Sequence, residues 1–233
     1  MLWDQPSFAP VGDGALLVTL GDALDEELHR QLIRLWHATQ AANIAGLVDV
    51  TPAFTTLLVQ FDPILTDHRS VRLALEHICL QSVAPHNPTG RTVEIPVCYG
   101  GAYGADFTFV CEHAGLSPQE VIDLHSGRDY LIYMIGFLPG FPYLGGMDER
   151  LFTPRLQIPR TNIPAGSVGI GGEQTGIYPI ESPGGWQLIG RTPLALFDPS
   201  ATDRPLYQAG DRIRFVPISP AEYVRQAHAK GGL

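Results

Sequence analysis

Apolar residues dominate positions 14–21 (GALLVTLG), which predicts a first strand. Helix signals follow at once. Asp25 suits an N-cap, Glu26 and Glu27 suit the positive end of a helix, and Leu28, Leu32, Leu35 and Trp36 recur on one face. Residues 46–50 and 55–61 read as two more strands, separated by Thr51-Pro52, with Asp62-Pro63 ending the second. A second helix runs from about 67 to 80, with Val71, Ala74, Leu75 and Ile78 as its buried stripe. This βαββα order, closed by a fourth strand, predicts an α+β N-terminal domain over residues 1–85, a two-layer sandwich of the ferredoxin-like type. His29, His37, His68 and His77 read as surface or helix-flank residues.

The polar, turn-rich stretch 85–90 (PHNPTG) marks a joint between domains. Beyond it, residues 93–99 (VEIPVCY) predict a strand whose internal Pro96 calls for an edge or a bulge. Asp106 suits the cap of a short helix, FTFVCEHA, stopped by Gly115. Ser117, Pro118 and Glu120 then supply a cap, an N1 proline and a capping-box glutamate for another helix ending near Gly127. From 130 to 193 the pattern changes. Glycine and proline become dense, yet aromatic and β-branched residues are threaded between them, so short strands with tight loops fit better than a disordered linker.

The chain has 233 residues, enough for one large domain or two small ones. A formal charge of −9 disfavours nucleic acid, whose phosphates need a basic footprint. The segment AGLSPQEV has the look of a helix-turn-helix, but a recognition helix carrying Gln119, Glu120 and Asp123 would repel phosphate. Lys230 is the only lysine, so no Walker A loop exists here. Cys79, Cys98 and Cys111 are odd in number and unpaired by spacing, which suggests reduced thiols in a cytoplasm. No stretch approaches the roughly 18 apolar residues of a membrane span, and the acidic, apolar-poor start carries no legible signal peptide. Metal-ligand clusters, G-x-S-x-G elbows and G-x-G-x-x-G turns are also missing from the sequence, so no metal site is expected.

Candidate chemistry lies in the glycine-rich region. Rigid loops around Phe137, Phe141 and Tyr143 form either packed core or the apolar wall of a pocket, and the hydroxyl makes Tyr143 the better pocket residue. Gly171-Gly172 and Gly184-Gly185 allow close backbone approach to an oxygen-bearing ligand. Arg160 and Arg191 offer forked donors for a carboxylate or phosphate, unless each is an ordinary surface ion pair. Gln174 can both donate to and accept from another amide. His125 is either a titrating group or the C-terminal cap of its helix.

Three blocks, HSGRDYLIYMIGFLPGFPYLGG (125–146), PRTNIPAGSVGIGGEQTGIYP (159–179) and SPGGWQLIGRTP (182–193), closely resemble the KipI / allophanate hydrolase subunit 1 family. The resemblance covers essentially the whole chain. It implies that residues 91–220 form a mostly-β, cyclophilin-like barrel, a likeness of fold that does not carry prolyl isomerase activity. It also implies an ATP-dependent 5-oxoprolinase subunit that opens 5-oxo-L-proline to L-glutamate. Such a subunit works with a KipA / allophanate hydrolase subunit 2-type protein and a LamB/YcsF-type protein, with ATP bound together with a partner; Mg2+ is expected beside the ATP on the general grounds of phosphoryl transfer. The family offers two alternatives, an inhibitor of a histidine kinase and a carboxyltransferase- or allophanate-type subunit of urea breakdown.

For lactam opening the chemistry assigns roles to these positions. Arg160 and Arg191 are expected to take a carboxylate or phosphate, while Gln174 and the backbone of Gly184 and Gly185 hold the lactam amide. Tyr143, Tyr178 and Trp186 are the expected walls, and His125 or Glu181 the proton carrier. This arrangement requires Arg160, Gln174 and Arg191 to converge, with a partner subunit completing a site so poor in cations.

Overall fold

A computed structural model describes residues 2–23, 25–81, 90–199 and 205–230, and the chain divides into two compact units, Met1–Thr89 and Gly90–Leu233.

The first unit runs β1 (Leu2–Val11), β2 (Ala15–Gly21), α1 (Glu26–Ala41), β3 (Leu47–Pro52), β4 (Thr56–Phe61) and α2 (His68–Gln81). Its antiparallel sheet has the order β1-β2-β4-β3. Alternation makes the core: Leu16, Val18 and Leu20 of β2 and Leu57, Val59 and Phe61 of β4 all turn to one face. Leu28, Leu32 and Leu35 of α1 and Val71 and Leu75 of α2 pack there. Asp25 caps α1 as the sequence suggests, accepting from the Glu27 and Leu28 amides. His29 departs from its surface reading and is buried.

The α+β sandwich is therefore present, but its connectivity is ββαββα and does not match the ferredoxin-like expectation of a closing strand after α2. The position beside β2 is filled by β1, from the start of the chain. Pro6 and Pro10 argue against a strand in the sequence; a rim strand tolerates them because one side of it has no ladder to maintain.

In the second unit, β5 (Thr92–Tyr99) leads to α3 (Phe107–Ala114) and α4 (Pro118–Ser126). Then come β6 (Asp129–Ile135), β7 (Pro142–Gly145), β8 (Arg160–Ile163), β9 (Ser167–Gly171), β10 (Gln174–Ile177), β11 (Ser182–Gly184), β12 (Gln187–Arg191), β13 (Arg212–Pro217) and α5 (Pro220–Lys230). Seven of these strands close a barrel in the order β10-β7-β6-β13-β5-β12-β9, and β8 and β11 form a separate two-stranded flap. Ile95, Val97, Ile132, Leu144, Val168, Ile170, Ile177 and Ile189 belong to one buried core cluster with Tyr130, Ile213 and Phe215. Pro96 sits in a barrel strand without conflict, because β12 pairs with β5 only at Cys98 and Tyr99.

Ser117 and Glu120 form the reciprocal capping box at α4, and Gly115 ends α3 in a left-handed conformation. Asp106 stands at the N-cap position of α3 but makes no side-chain cap bond. No helix among the described residues is long and apolar enough to cross a membrane.

Candidate functional site

The glycines of β9 and β10 explain where the site forms. In the antiparallel register Gln174 faces Gly171, and Gly176 faces Gly169, so these four positions share one face of the barrel wall. Three of them lack side chains, and Trp186 lies on the bare backbone. A Cβ at Gly171 would overlap the indole at Nε1, and one at Gly176 would meet Trp186 Cζ3 at 3.0 Å and Phe141 Cζ at 3.1 Å. A second buried cluster grows from that contact, made of Phe141, Ile163, Tyr178, Trp186 and Leu188, with Leu138 and Tyr143 packed against it. Phe141 meets Tyr178 and Trp186 edge to face at centroid distances of 5.2 and 5.4 Å.

The flap covers this cluster. Arg160 pairs with Gly184 and Ile163 with Ser182, so β8 takes three steps where β11 takes two. The extra residue in β8 returns Arg160 to the face that Ile163 occupies, which looks onto Tyr178. Gly184 lies so close that a Cβ there would stand 2.5 Å from the Tyr178 hydroxyl. Arg160 Nη2 donates to Asp106 Oδ1 at 2.6 Å, and the Leu188 amide donates to Asp106 Oδ2 at 2.7 Å. Arg160 Nη1 and Ser182 Oγ are buried with no hydrogen-bond partner among the described residues.

A further loop brings in a cation that the sequence analysis did not single out. Thr153 bridges to Gly172, Gln187 Nε2 donates to Pro154 O at 2.9 Å, and the Leu156 amide donates to Gly185 O at 2.7 Å. Held at those three points, the loop sets the Arg155 guanidinium over the Trp186 ring, 5.7 Å from its centroid. Burial raises the Tyr178 and Tyr143 hydroxyls above their ordinary pKa, and the charge of Arg155 opposes that rise at both. The signal was available, since Pro154-Arg155 and Pro159-Arg160 repeat the same dipeptide.

Arg160, Gln174, Tyr143, Tyr178, Gly184, Gly185 and Trp186 are thus gathered on one side of the barrel wall. Arg191 is not among them. It pairs with Ser167, four positions along β9 from Gly171, the partner of Gln174, which is about 13 Å at the usual strand rise. Its Nε donates to Ala165 O at 2.9 Å. The cradle built on Arg160 and Arg191 is therefore corrected: Arg155 is the second cation beside Trp186.

His125 also departs from its expected role. It is completely buried, stacked on Phe215 with ring centroids 4.5 Å apart. The Thr175 hydroxyl donates to Gly169 O, so its oxygen accepts from His125 Nε2 at 2.9 Å and Nδ1 accepts from the Tyr99 hydroxyl at 2.8 Å. Both ring nitrogens are engaged, and burial, helped by the charge of Arg128, holds the pKa down at about 3. A neutral histidine with no exchangeable nitrogen exposed is a structural strut and not a proton carrier. Glu181 is exposed and accepts from Asn162 Nδ2 at 3.0 Å on the outer side of the flap.

An open cleft of about 390 Å³ lies elsewhere, lined by Phe107, Thr108, Cys111, Glu112, Leu116 and Pro118. Its only charged lining group is acidic, which does not suit an anionic ligand.

A closed barrel carrying an arginine-flanked aromatic site on its outer wall is the setting in which the relatives become informative. The chain belongs to the carboxyltransferase domain, subdomain C and D, family, which matches residues 6–207. It is 44% identical over 227 residues to the 5-oxoprolinase B subunit of Bacillus subtilis (strain 168), covering 91% of this chain and 93% of that protein. Against the 5-oxoprolinase B subunit of Escherichia coli O157:H7 the identity is 42% over 210 residues, covering 89% and 94%. The crystal structure of TTHA0988 matches 89% of this chain with a TM-score of 0.78 and 35% identity, the match spanning 40% of that longer chain.

Proposed function

We propose that this chain is the B subunit of an ATP-dependent 5-oxoprolinase and holds the lactam for ring opening to L-glutamate. One observation carries the reading: near-full-length identity of 44% to a 5-oxoprolinase B subunit. The geometry agrees in kind. A small, flat, anionic ring needs apolar walls, a guanidinium and an amide partner, and Tyr143, Tyr178, Trp186, Arg160 and Gln174 supply these around one face. Arg160 takes the anionic end of the ligand, Gln174 the ring amide, and Gly184 lets the flap lie directly on the Tyr178 hydroxyl.

A five-membered lactam is a stable amide, and ATP supplies the activation that makes its carbonyl open to water. Among the described residues no group of three or more His, Cys, Asp or Glu side chains stands where it could hold a metal ion by itself, and Mg2+ on a nucleotide takes most of its ligands from phosphate and water. The aromatic site has few cationic groups for the phosphates, so ATP with Mg2+ is assigned to a site completed by the partners, a KipA / allophanate hydrolase subunit 2-type protein and a LamB/YcsF-type protein. With His125 internal and Glu181 turned outward, the catalytic base belongs to a partner as well.

The test is glutamate release from 5-oxo-L-proline by the reconstituted subunits, each left out in turn. Full activity only in the complete set, lost in Arg160→Ala, supports the reading; robust turnover by this chain alone, or none by the full set, overturns it. The family description supports a second reading, carboxyl transfer, taken here with urea as the acceptor. Carboxylation of urea with a biotinylated carrier in place of the LamB/YcsF-type protein distinguishes the two.

A further inference from the structure

Two polar atoms of the flap need an explanation. Arg160 Nη1 and Ser182 Oγ are each buried and unpartnered among the described residues, although buried polar atoms in folded proteins almost always have a partner. Ser182 is 6% exposed. Ser182 pairs with Ile163, and the bulge in β8 returns Arg160 to the face that this pair occupies, which looks onto Tyr178. Nη2 of the same guanidinium is already committed to Asp106, which is itself fixed by the Leu188 amide. Asp106 therefore fixes which edge of Arg160 remains available.

We infer that Arg160 Nη1 and the Ser182 hydroxyl form a recognition site for a single carboxylate, with Asp106 as the positioning residue that reserves them for it. This deepens the proposed function and rests on it for the identity of the ligand, the carboxylate of 5-oxo-L-proline.

Charge and shape select a carboxylate over a phosphate. The charges of Arg155 and Arg160 both act at the Tyr178 hydroxyl, and Asp106 pairs with Arg160, which leaves one net positive charge for one negative ligand. A phosphate would bring more charge than that and place it beside Asp106. A carboxylate presents two acceptor oxygens in one plane, which matches a guanidinium edge with a hydroxyl donor beside it better than a tetrahedral phosphate does.

The test is equilibrium dialysis of labelled 5-oxo-L-proline with the reconstituted complex in the absence of ATP, alongside steady-state kinetics. Acetate is expected to compete for the site, and inorganic phosphate and neutral 2-pyrrolidinone to compete poorly. Ser182→Ala and Asp106→Asn are each expected to weaken binding about tenfold and raise KM equally, with kcat changed less than twofold. Ser182→Ala serves as the control against misfolding, because it removes one oxygen from a short flap. Phosphate competing as well as acetate, or both variants binding like wild type, overturns the inference. If the complex turns over 5-oxo-L-proline with KM unchanged in both variants, the function stands and the carboxylate site falls. If turnover is absent but labelled acetate binds in a Ser182-dependent way, the site stands and the function falls.

Discussion

Asp106 and Arg160, 54 positions apart, meet at 2.6 Å through Oδ1 and Nη2. Asp106 stands where a helix cap stands, yet it leaves the first turn of α3 uncapped. The reason is energetic. A cap is worth about 1 kcal/mol, whereas a charge-assisted bond to arginine together with a bond to a buried backbone amide exceeds that. One carboxylate thereby fastens the start of α3 to β8 and to β12.

Gly184→Ala tests how tightly the flap closes. The added methyl would meet the Tyr178 hydroxyl at 2.5 Å and Ile163 Cδ1 at 2.8 Å, and both side chains are buried. The variant is expected to lose about 1–3 kcal/mol in urea denaturation and to bind 5-oxo-L-proline more weakly within the complex. An unchanged midpoint with unchanged affinity would mean that β11 shifts freely.

Gly171→Ala addresses the floor of the site. The Trp186 indole occupies the space of the new methyl, so the ring has to lift toward water. We expect a red-shifted Trp186 emission, read as the difference from the same substitution made in a Trp186→Phe background, and a loss of about 1–3 kcal/mol. Emission that stays put would place the ring elsewhere.

His125 makes the barrel acid-sensitive. Its pKa falls from 6.5 to about 3 on folding, so the unfolded chain takes up a proton that the folded chain refuses. The stability tied to the neutral form is fully present above pH 6.5 and drains away as the pH falls toward 3. Thermal melts across that window are expected to show a shallower acid decline in His125→Gln than in wild type. At pH 7 the same variant is expected to be less stable by about 1–3 kcal/mol, because Tyr99 and Thr175 lose their fitted partner. Parallel acid declines would reject the assignment.

Phe137 sets backbone strain against a ring contact. It is 61% exposed and holds φ at +66°, the left-handed region that costs a bulky residue about 1–2 kcal/mol. Its edge-to-face contact with Phe141, 5.7 Å between centroids, returns about 0.5–1.5 kcal/mol, less for a ring this exposed. Phe137→Asn tolerates that backbone and is expected to raise the urea midpoint modestly; a lowered midpoint would show that the ring contributes more than its exposure suggests.

Much of this fold could be read from local signals. The Asp25 cap, the Ser117–Glu120 box and the stop at Gly115 are short-range chemistry, and each appears where the sequence indicates. The first strand was hidden because Pro6 and Pro10 argue against a ladder, and only sheet order reveals that one side of β1 needs none. At the site, the dense glycines pointed to the right region, while the choice between Arg155 and Arg191 depended on register. Nothing local says that Arg191 sits opposite Ser167 while Gln174 sits opposite Gly171. Burial of His125 was likewise a property of barrel closure, since its ring meets Thr175 from a strand 50 residues away.

The rim position of β1 has a practical side. Residues Leu2–Val11 shield the free flank of Ala15–Gly21, so trimming them would bare a row of amides and carbonyls in the middle of an apolar sheet. Strands uncovered in that way recruit neighbouring chains.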